Sequence, residues 1–411
     1  MTASSSALDG LRHALPADTE RSPLHYVLDG MTPAIAFEPT DPTEVATLLH
    51  LAAEGGLAVA PLGARTATGL GRPLARYDVA LDLRALDRVI EYVPDDLVIT
   101  VQAGATLAAL ETTLHEHGQY LPVDPPPGDE VTIGGLLASA RSGAWRGHLP
   151  AARDLILGMQ VALPSGELVH SGGRVVKNVT GYDMHRMHTG ALGAFGVIVE
   201  ATFKLTPLPA ATRTLLLPAP DIEACGGLAR RVWDAGLAVR AITVLGARAA
   251  DAAMLPPVPG VLVEVAGGEA AVERTLRELH AVTPGAGEAP PEAWTRLRRL
   301  AAGPGATVLR LGVPPAEVEI VVTALERTGL TAWAHLAAGS VIARGDIAPS
   351  EVEALQTLAA ERGGFLQVEV ASPALRETVD PMGEERMLVE ALRRQFDPHG
   401  TVNPGRWGAE L

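Results

Sequence analysis

Between residues 209 and 370 the chain runs twice through the same order of short elements, and this repetition constrains the fold more than any other feature. A strand near 213–218, a helix over 221–235, strands over 238–245 and 260–266 and a helix over 269–281 are followed by the loop 283–291. A similar order returns from 307 to 370, with helices near 315–328 and 349–362 and strands before, between and after them. Two rounds of strand-helix-strand-strand-helix predict an α+β unit, with helices packed on an antiparallel sheet. The prolines 207, 209, 218 and 220 mark its start as a boundary.

Upstream of that boundary the pattern is different. Asp41 and Pro42 can cap and open a helix that closes at Gly55-Gly56, with Val45, Leu48, Leu49 and Ala52 on one face. Residues 57–62 read as a buried strand running into the turn Gly63-Ala64-Arg65-Thr66-Ala67-Thr68-Gly69. Residues 87–93 and 97–103 alternate around Pro94-Asp95-Asp96 as an antiparallel hairpin does, and a helix follows over 106–115. Strands are expected near 155–163 and 168–170.

Composition bounds the function. Lys+Arg 33 against Asp+Glu 48 gives a net charge of −15, which argues against a nucleic-acid partner. Only two of the basic residues, Lys177 and Lys204, are lysines. The one cysteine, Cys225, can form neither an internal disulfide nor a four-thiolate cluster. Residues 1–10 are small and polar, Pro16 and Pro23 break up the next stretch, and no run reaches the roughly 18 apolar residues of a spanning helix. A cytoplasmic protein is expected, membrane-associated only through partners.

The turn after the first strand is where a phosphate could sit. Consecutive amides in a tight turn make a concave anion site, and small residues let oxygens approach. Read alone, an ordinary surface turn fits equally well. It is neither a P-loop nor a Gly-x-Gly-x-x-Gly fingerprint, and Arg65 offers charge-assisted bonds to a phosphate. Thr132-Ile133-Gly134-Gly135 opens a helix whose free amides and dipole would favour a second anionic contact. Gly193 and Gly196 precede a strand through Val197 and Ile198.

The order of these segments carries more than any one of them. Pro-x-Gly-x-x-Thr after an early strand is followed by Thr-Ile-Gly-Gly, by Lys177-Asn178-x-x-Gly181-Tyr182-Asp183 and by Gly193-x-x-Gly196-Val197-Ile198-x-Glu200. The tail reads Phe396-Asp397-Pro398-His399-Gly400-Thr401-Val402-Asn403-Pro404-Gly405-Arg406. In this order the chain resembles the vanillyl-alcohol oxidase superfamily, with its PCMH-type FAD-binding domain. Within it, the sequence is most similar to the family of FAD-binding E subunits of glycolate dehydrogenase (glycolate oxidase).

The resemblance implies an N-terminal extension over 1–32, then a two-subdomain PCMH-type FAD-binding domain over 33–208, divided into 33–95 and 96–208. A ferredoxin-like antiparallel cap over 209–370 would follow, and a tail over 371–411 would return to the cofactor. It further implies non-covalent FAD, since no histidine stands in or just after the turn. Gly63, Ala64, Arg65 and Thr66 would lie along the pyrophosphate, with Thr132, Gly134 and Gly135 wrapping the same cofactor. Pro125, Ser142, Gly143 and Gly147 would line the region towards the flavin, Val197 and Ile198 would meet the adenine side, and Asn403 and Arg406 would close from the tail.

Relatives acting on 2-hydroxy acids carry His-x-Gly-Asp-Gly-Asn-x-His where this chain has His335-Leu336-Ala337-Ala338-Gly339-Ser340. With one histidine left, no metal site is expected. The pairs His115 with His117 and His185 with His188 are read as solvent-facing or core histidines. Oxidising such an acid needs a cation for its carboxylate, a base for its hydroxyl and a positioned flavin. Arg146 and Arg344 are the candidate cations, and His148 and His335 the candidate bases.

The resemblance implies partners, namely a sister FAD subunit and an iron–sulfur subunit, with a small 2-hydroxy acid such as glycolate or D-lactate as substrate. Two alternatives stay open. One is a self-sufficient FAD-dependent 2-hydroxy-acid dehydrogenase; the other is a non-catalytic assembly subunit with a vestigial flavin site, which Ala64-Arg65 would explain.

Overall fold

The computed structural model describes residues 5–173, 182–303, 305–379 and 386–408, so Lys177, Asn178 and Gly181 of the central motif lie outside the described residues. A first sheet holds the strands Glu20–Arg21, Ile35–Phe37, Val79–Asp82 and Val59–Leu62 in that spatial order, the last three parallel. Helix Pro42–Glu54 crosses between two of these strands. Asp41 accepts the Thr43 amide at 2.9 Å and Glu44 accepts the Asp41 amide at 3.3 Å, a reciprocal cap with Pro42 in the first turn. The helix buries Val45, Leu48, Leu49 and Ala52 against Ile35, Phe37, Val59, Val79 and Leu81. Each fully buried Val or Leu contributes roughly 1.5–3 kcal/mol.

A second, antiparallel sheet runs Val89–Val93, Val98–Gln102, Val197–Lys204, Ile156–Ala162, Leu168–Gly172. The expected hairpin is its first pair, closed by a 3-10 turn over Pro94–Asp96 with Leu97 at φ 57°. Helices Leu107–His115 and Ile133–Ser139 cover this sheet through Leu110, Leu114, Ile133, Leu136 and Leu137. The tail joins the first sheet. Val402 bridges Val59 in parallel, with the Val59 amide donating to Thr401 at 2.8 Å and the Asn403 amide to Val59 at 2.9 Å.

The two rounds read from the sequence form one eight-stranded antiparallel sheet. Its order is Gly287–Glu288, Ala211–Pro218, Gly260–Gly267, Val239–Leu245, Thr331–His335, Ser340–Gly345, Thr307–Gly312, Phe365–Val370. Each round has the ferredoxin-like order, and the rounds meet where Thr243 faces His335 and Leu245 faces Trp333. The alternating side chains divide the work. One face carries Ile242, Val244, Val261, Val263, Leu309, Leu311, Ala332 and Ala334 and packs on helices Ile222–Asp234, Glu269–Val282, Val318–Arg327 and Pro349–Ala360. The opposite face, which meets the second sheet's unit through Ala144 and Trp145, mixes Leu216, Leu245, Trp333 and Ile342 with polar side chains.

Several helices lie outside the sequence reading: Ser5–Ala14, Ala247–Ala252, Glu292–Leu300, Pro373–Thr378 and Arg386–Phe396. Ala247–Ala252 has only alanines as apolar residues to show a period, and Glu292–Leu300 buries just Ala293, Trp294 and Leu297. Both pack on the mixed face of the cap sheet. The expected loop 283–291 contains the two-residue edge strand Gly287–Glu288.

Candidate functional site

Two cavities define the site. The first is a cleft between the two smaller sheets, enclosing about 900 Å³ with its opening to solvent included. Gly63, Ala64, Arg65, Thr66, Thr132, Gly134, Gly135, Val197, Ile198, Asn403 and Arg406, all predicted cofactor residues, line it together with Ser139, Leu192 and Gly193. A Cβ on Gly63 would stand 2.2 Å from Thr132 Oγ1, so glycine is what lets the turn close onto the helix that Thr132 caps.

The turn offers an anion main-chain donors. None of the amides of residues 64–68 donates to an acceptor among the described residues. Arg65 sits at φ 60°, the left-handed kink that folds successive amides into a nest. That orphaned set has the chemistry to receive a pyrophosphate.

Two expectations about how the cleft works are corrected. The Arg65 side chain does not reach into it. Its Nη1 donates to the His25 carbonyl at 2.6 Å and the guanidinium lies 5.7 Å from the Tyr26 ring centroid. The amides opening helix Ile133–Ser139 are not free either. Ile133 donates to Ala105 at 2.9 Å, Gly134 to Ala103 at 2.7 Å and Gly135 to Thr132 Oγ1 at 3.3 Å. The Gly134 position instead allows close approach, since a Cβ there would be 3.0 Å from Ala103 Cβ.

Asn403 and Arg406 line the cleft from the tail, and their side chains also fasten it. Asn403 Nδ2 donates to Leu192 at 2.7 Å, and Arg406 Nη1 donates to the carbonyls of Thr68 at 2.9 Å and Arg72 at 3.2 Å. Burial lowers the Arg406 pKa to about 10, with Asp29 opposing that shift at 3.5 Å. Asp29 also receives Arg376, whose Nη1 donates to Thr68 at 3.2 Å. This knot of Asp29, Arg376 and Arg406 holds the turn from behind, and sequence reasoning missed Asp29 and Arg376.

The second cavity, about 1410 Å³ with its opening included, lies between the mixed face of the cap sheet and residues 120–145. Pro125, Ser142 and Gly143 line it, as does His335. His335 Nδ1 meets Thr243 Oγ1 at 2.9 Å, and burial, with Arg310 nearby, lowers its pKa to about 3, so the imidazole is neutral. Glu264 accepts Trp145 Nε1 at 2.6 Å and Arg240 Nε at 2.7 Å, and Arg240 stacks 4.3 Å from the Trp145 ring centroid. Asp124 accepts the amides of Gly143 at 3.2 Å and Trp145 at 3.0 Å, and burial pushes its pKa up to about 7.

The remaining candidates lie elsewhere. A Cβ on Gly147 would be 2.7 Å from Ala337 Cβ, so this glycine sits against the cap and lines neither cavity. His148 packs on Trp233 at 5.6 Å, with Nε2 buried and without a partner among the described residues. Arg344 Nη1 donates to the carbonyls of Leu300 at 2.9 Å and Gly303 at 2.8 Å, closing the end of helix Glu292–Leu300. Arg146 lines a third recess beside the second cavity. No three His, Cys, Asp or Glu side chains converge as metal ligands among the described residues.

A main-chain phosphate cradle between two small sheets, beneath an antiparallel cap, is the architecture of PCMH-type FAD-binding oxidoreductases. Residues 33–172 match the FAD binding domain family. The chain belongs to the family of the glycolate oxidase subunit GlcE: it is 30% identical to the Escherichia coli (strain K12) protein over 363 residues, 85% of this chain and 92% of that one. It is also 33% identical over 214 residues to the D-2-hydroxyglutarate dehydrogenase of Xanthomonas citri pv. viticola, covering 51% of this chain and 44% of that one. Among solved structures, p-cresol methylhydroxylase aligns over 99% of this chain and 97% of its own at TM-score 0.79 and 16% identity, a likeness of fold. The chain is thus an FAD-binding oxidoreductase. Among the described residues no helix is long and apolar enough to cross a membrane.

Proposed function

We propose that this chain is the FAD-binding subunit of a glycolate dehydrogenase-like complex that oxidises a small 2-hydroxy acid, such as glycolate or D-lactate, and passes electrons to a partner. The observation that carries this reading is the row of unsatisfied amides at residues 64–68, lining one cleft with Gly135, Val197 and Ile198. The side chains of Asn403 and Arg406 keep that cleft in shape. Bound there, FAD would supply the hydride acceptor.

The chain's own residues would prepare the substrate in the cap cavity. His335, neutral and oriented by Thr243, is a hydrogen-bonding partner in this cavity for a substrate hydroxyl. Asp124, its pKa raised to about 7 and its carboxylate held by two amides, is the group of this cavity able to take up the hydroxyl proton. Electrons would leave through a sister FAD subunit and an iron–sulfur subunit. The single cysteine supports this division, since Cys225 is buried in the cap and its pKa is pushed up to about 12, chiefly by burial.

The test is to purify the chain alone, record its visible spectrum and add glycolate or D-lactate without air. A flavin that bleaches only once partner subunits are added supports the proposal. Bleaching by the isolated chain makes it a self-sufficient dehydrogenase. No flavin after reconstitution with FAD overturns both and leaves an assembly role.

A further inference from the structure

The third recess, about 950 Å³ with its opening included, lies on the seam between the FAD-binding unit and the cap. Arg141, Arg146 and Arg310 line it, and Glu369 is its one carboxylate, so three positive charges face one negative charge. Glu369 is already shared. Its Oε1 lies 2.7 Å from Arg310 Nε and its Oε2 lies 2.5 Å from Arg141 Nε, with side-chain exposures of 2% for Glu369, 3% for Arg141 and 11% for Arg310. Arg141 is otherwise occupied by the carbonyls of Thr66 and Ala301 at 3.2 and 2.9 Å, and Arg310 Nη1 by Ser340 Oγ at 2.6 Å. The Arg146 guanidinium has no acceptor among the described residues.

A net positive cluster with two arginines deeply buried is costly unless an anion completes it. In a chain of net charge −15 it is also a local reversal of sign, able to draw in an anion that the rest of the surface repels. Arg310 and Ser142 line both this recess and the cap cavity, so the two adjoin at these side chains. We infer that the recess is a carboxylate-binding mouth: Arg146 captures the carboxylate of an incoming acid and Arg310 receives it at the junction with the cap cavity. This rests on the 2-hydroxy-acid reading above and gives that reading an entry route and two named cations. Of these, sequence reasoning missed Arg310.

The experiment is calorimetric titration of the purified full-length protein with oxalate, a non-oxidisable dicarboxylate, and with inorganic phosphate, in wild type, Arg146→Gln and Arg146→Lys. Oxalate is expected to bind the wild type, more weakly as salt rises, with Arg146→Gln weakening it about tenfold or more and Arg146→Lys recovering part of the loss. Equal oxalate affinity in wild type and Arg146→Gln overturns the inference, and so does phosphate binding tenfold tighter than oxalate. Anaerobic flavin bleaching by glycolate or D-lactate, measured alongside with the partner subunits present, separates the two proposals. If a hydroxy acid bleaches the flavin with the same KM in Arg146→Gln, the mouth falls alone. If no hydroxy acid bleaches the flavin but oxalate binding depends on Arg146, the functional reading falls and the mouth stands.

Discussion

The cofactor cleft and the cap cavity are made from different chemistry. The cleft presents main chain to its ligand: the amides of residues 64–68 are the free donors, while nearby side chains such as Arg65, Asn403 and Arg406 are turned to fastening. The cap cavity presents side chains. His335, Arg310 and Glu264 stand on one face of a sheet, and each is held by a neighbouring side chain. A main-chain site survives substitution wherever the backbone path is kept, so the side chains of Ala64 and Arg65 leave the main-chain donors in place. A side-chain site changes its chemistry with each substitution, as the single histidine left at 335 illustrates.

Gly63 is where the cleft's reliance on main chain can be broken most severely. Gly63→Val would drive a Cβ into Thr132 Oγ1, which caps helix Ile133–Ser139, and so disturb the turn and the opposite wall together. Purified Gly63→Val should carry no flavin and lose roughly 2–4 kcal/mol of stability, from overpacking and a weakened cap. The flavin-to-protein absorbance ratio and the urea midpoint read the two losses. Full flavin content in this variant would show that the path of the main chain is not what holds the cofactor.

The side-chain half should break differently. Glu369 is buried between Arg141 and Arg310. Burial alone would raise its pKa, but the two guanidinia hold it below the usual carboxylate range. Glu369→Gln leaves both arginines without a counter-charge and should cost about 3–5 kcal/mol. In the wild type this stabilisation is present above the ordinary carboxylate pKa and fades as pH falls through the lower folded value. Wild type and Glu369→Gln should therefore converge in melting temperature at strongly acidic pH. A constant gap would assign the loss to packing.

Asp124 runs in the opposite sense. Its folded pKa, raised to about 7, lies above that of the unfolded chain, so stability falls as pH climbs from about 4 to 7 and is level beyond. Asp124→Asn should flatten that slope, which amounts to at most roughly 4 kcal/mol across the window. Melting temperatures taken at about pH 4.5 and about pH 8 should differ less in the variant than in the wild type. An equal difference in both proteins would assign the slope to other groups.

How much of this was legible follows the same division. Local rules found the Asp41 cap with Pro42, the Pro94–Asp96 hairpin and the two rounds of the cap, because each rests on neighbours in the chain. The cleft was legible as an order of segments, yet the reasoning attached to it was wrong at Gly134, whose amide is taken by Ala103 on another element. Asp29 and Arg376 are 347 residues apart in sequence, and nothing local announces that they meet. Arg310 and Glu369 did leave a trace, as lone charges inside the strands Val308-Leu309-Arg310-Leu311 and Val368-Glu369-Val370. Period two puts them opposite the apolar core, but only the assembled sheet shows that this face meets a cavity and not solvent.

Arg65 offers the subtlest test of main chain against side chain. It occupies φ 60°, which costs a non-glycine residue about 1–2 kcal/mol, while its side chain gains back the bond to His25 and the contact with Tyr26. Arg65→Gly removes the strain and both contacts, and it adds freedom to the unfolded chain, so the terms nearly cancel to within about 1 kcal/mol. If main-chain donors hold the pyrophosphate, flavin content and FAD affinity should stay at the wild-type level, because the amide of residue 65 is still present in the same left-handed turn. A large fall in FAD affinity with an unchanged urea midpoint would mean that the guanidinium swings from His25 to the phosphates when the cofactor binds. The cleft would then depend on a side chain as the cap does.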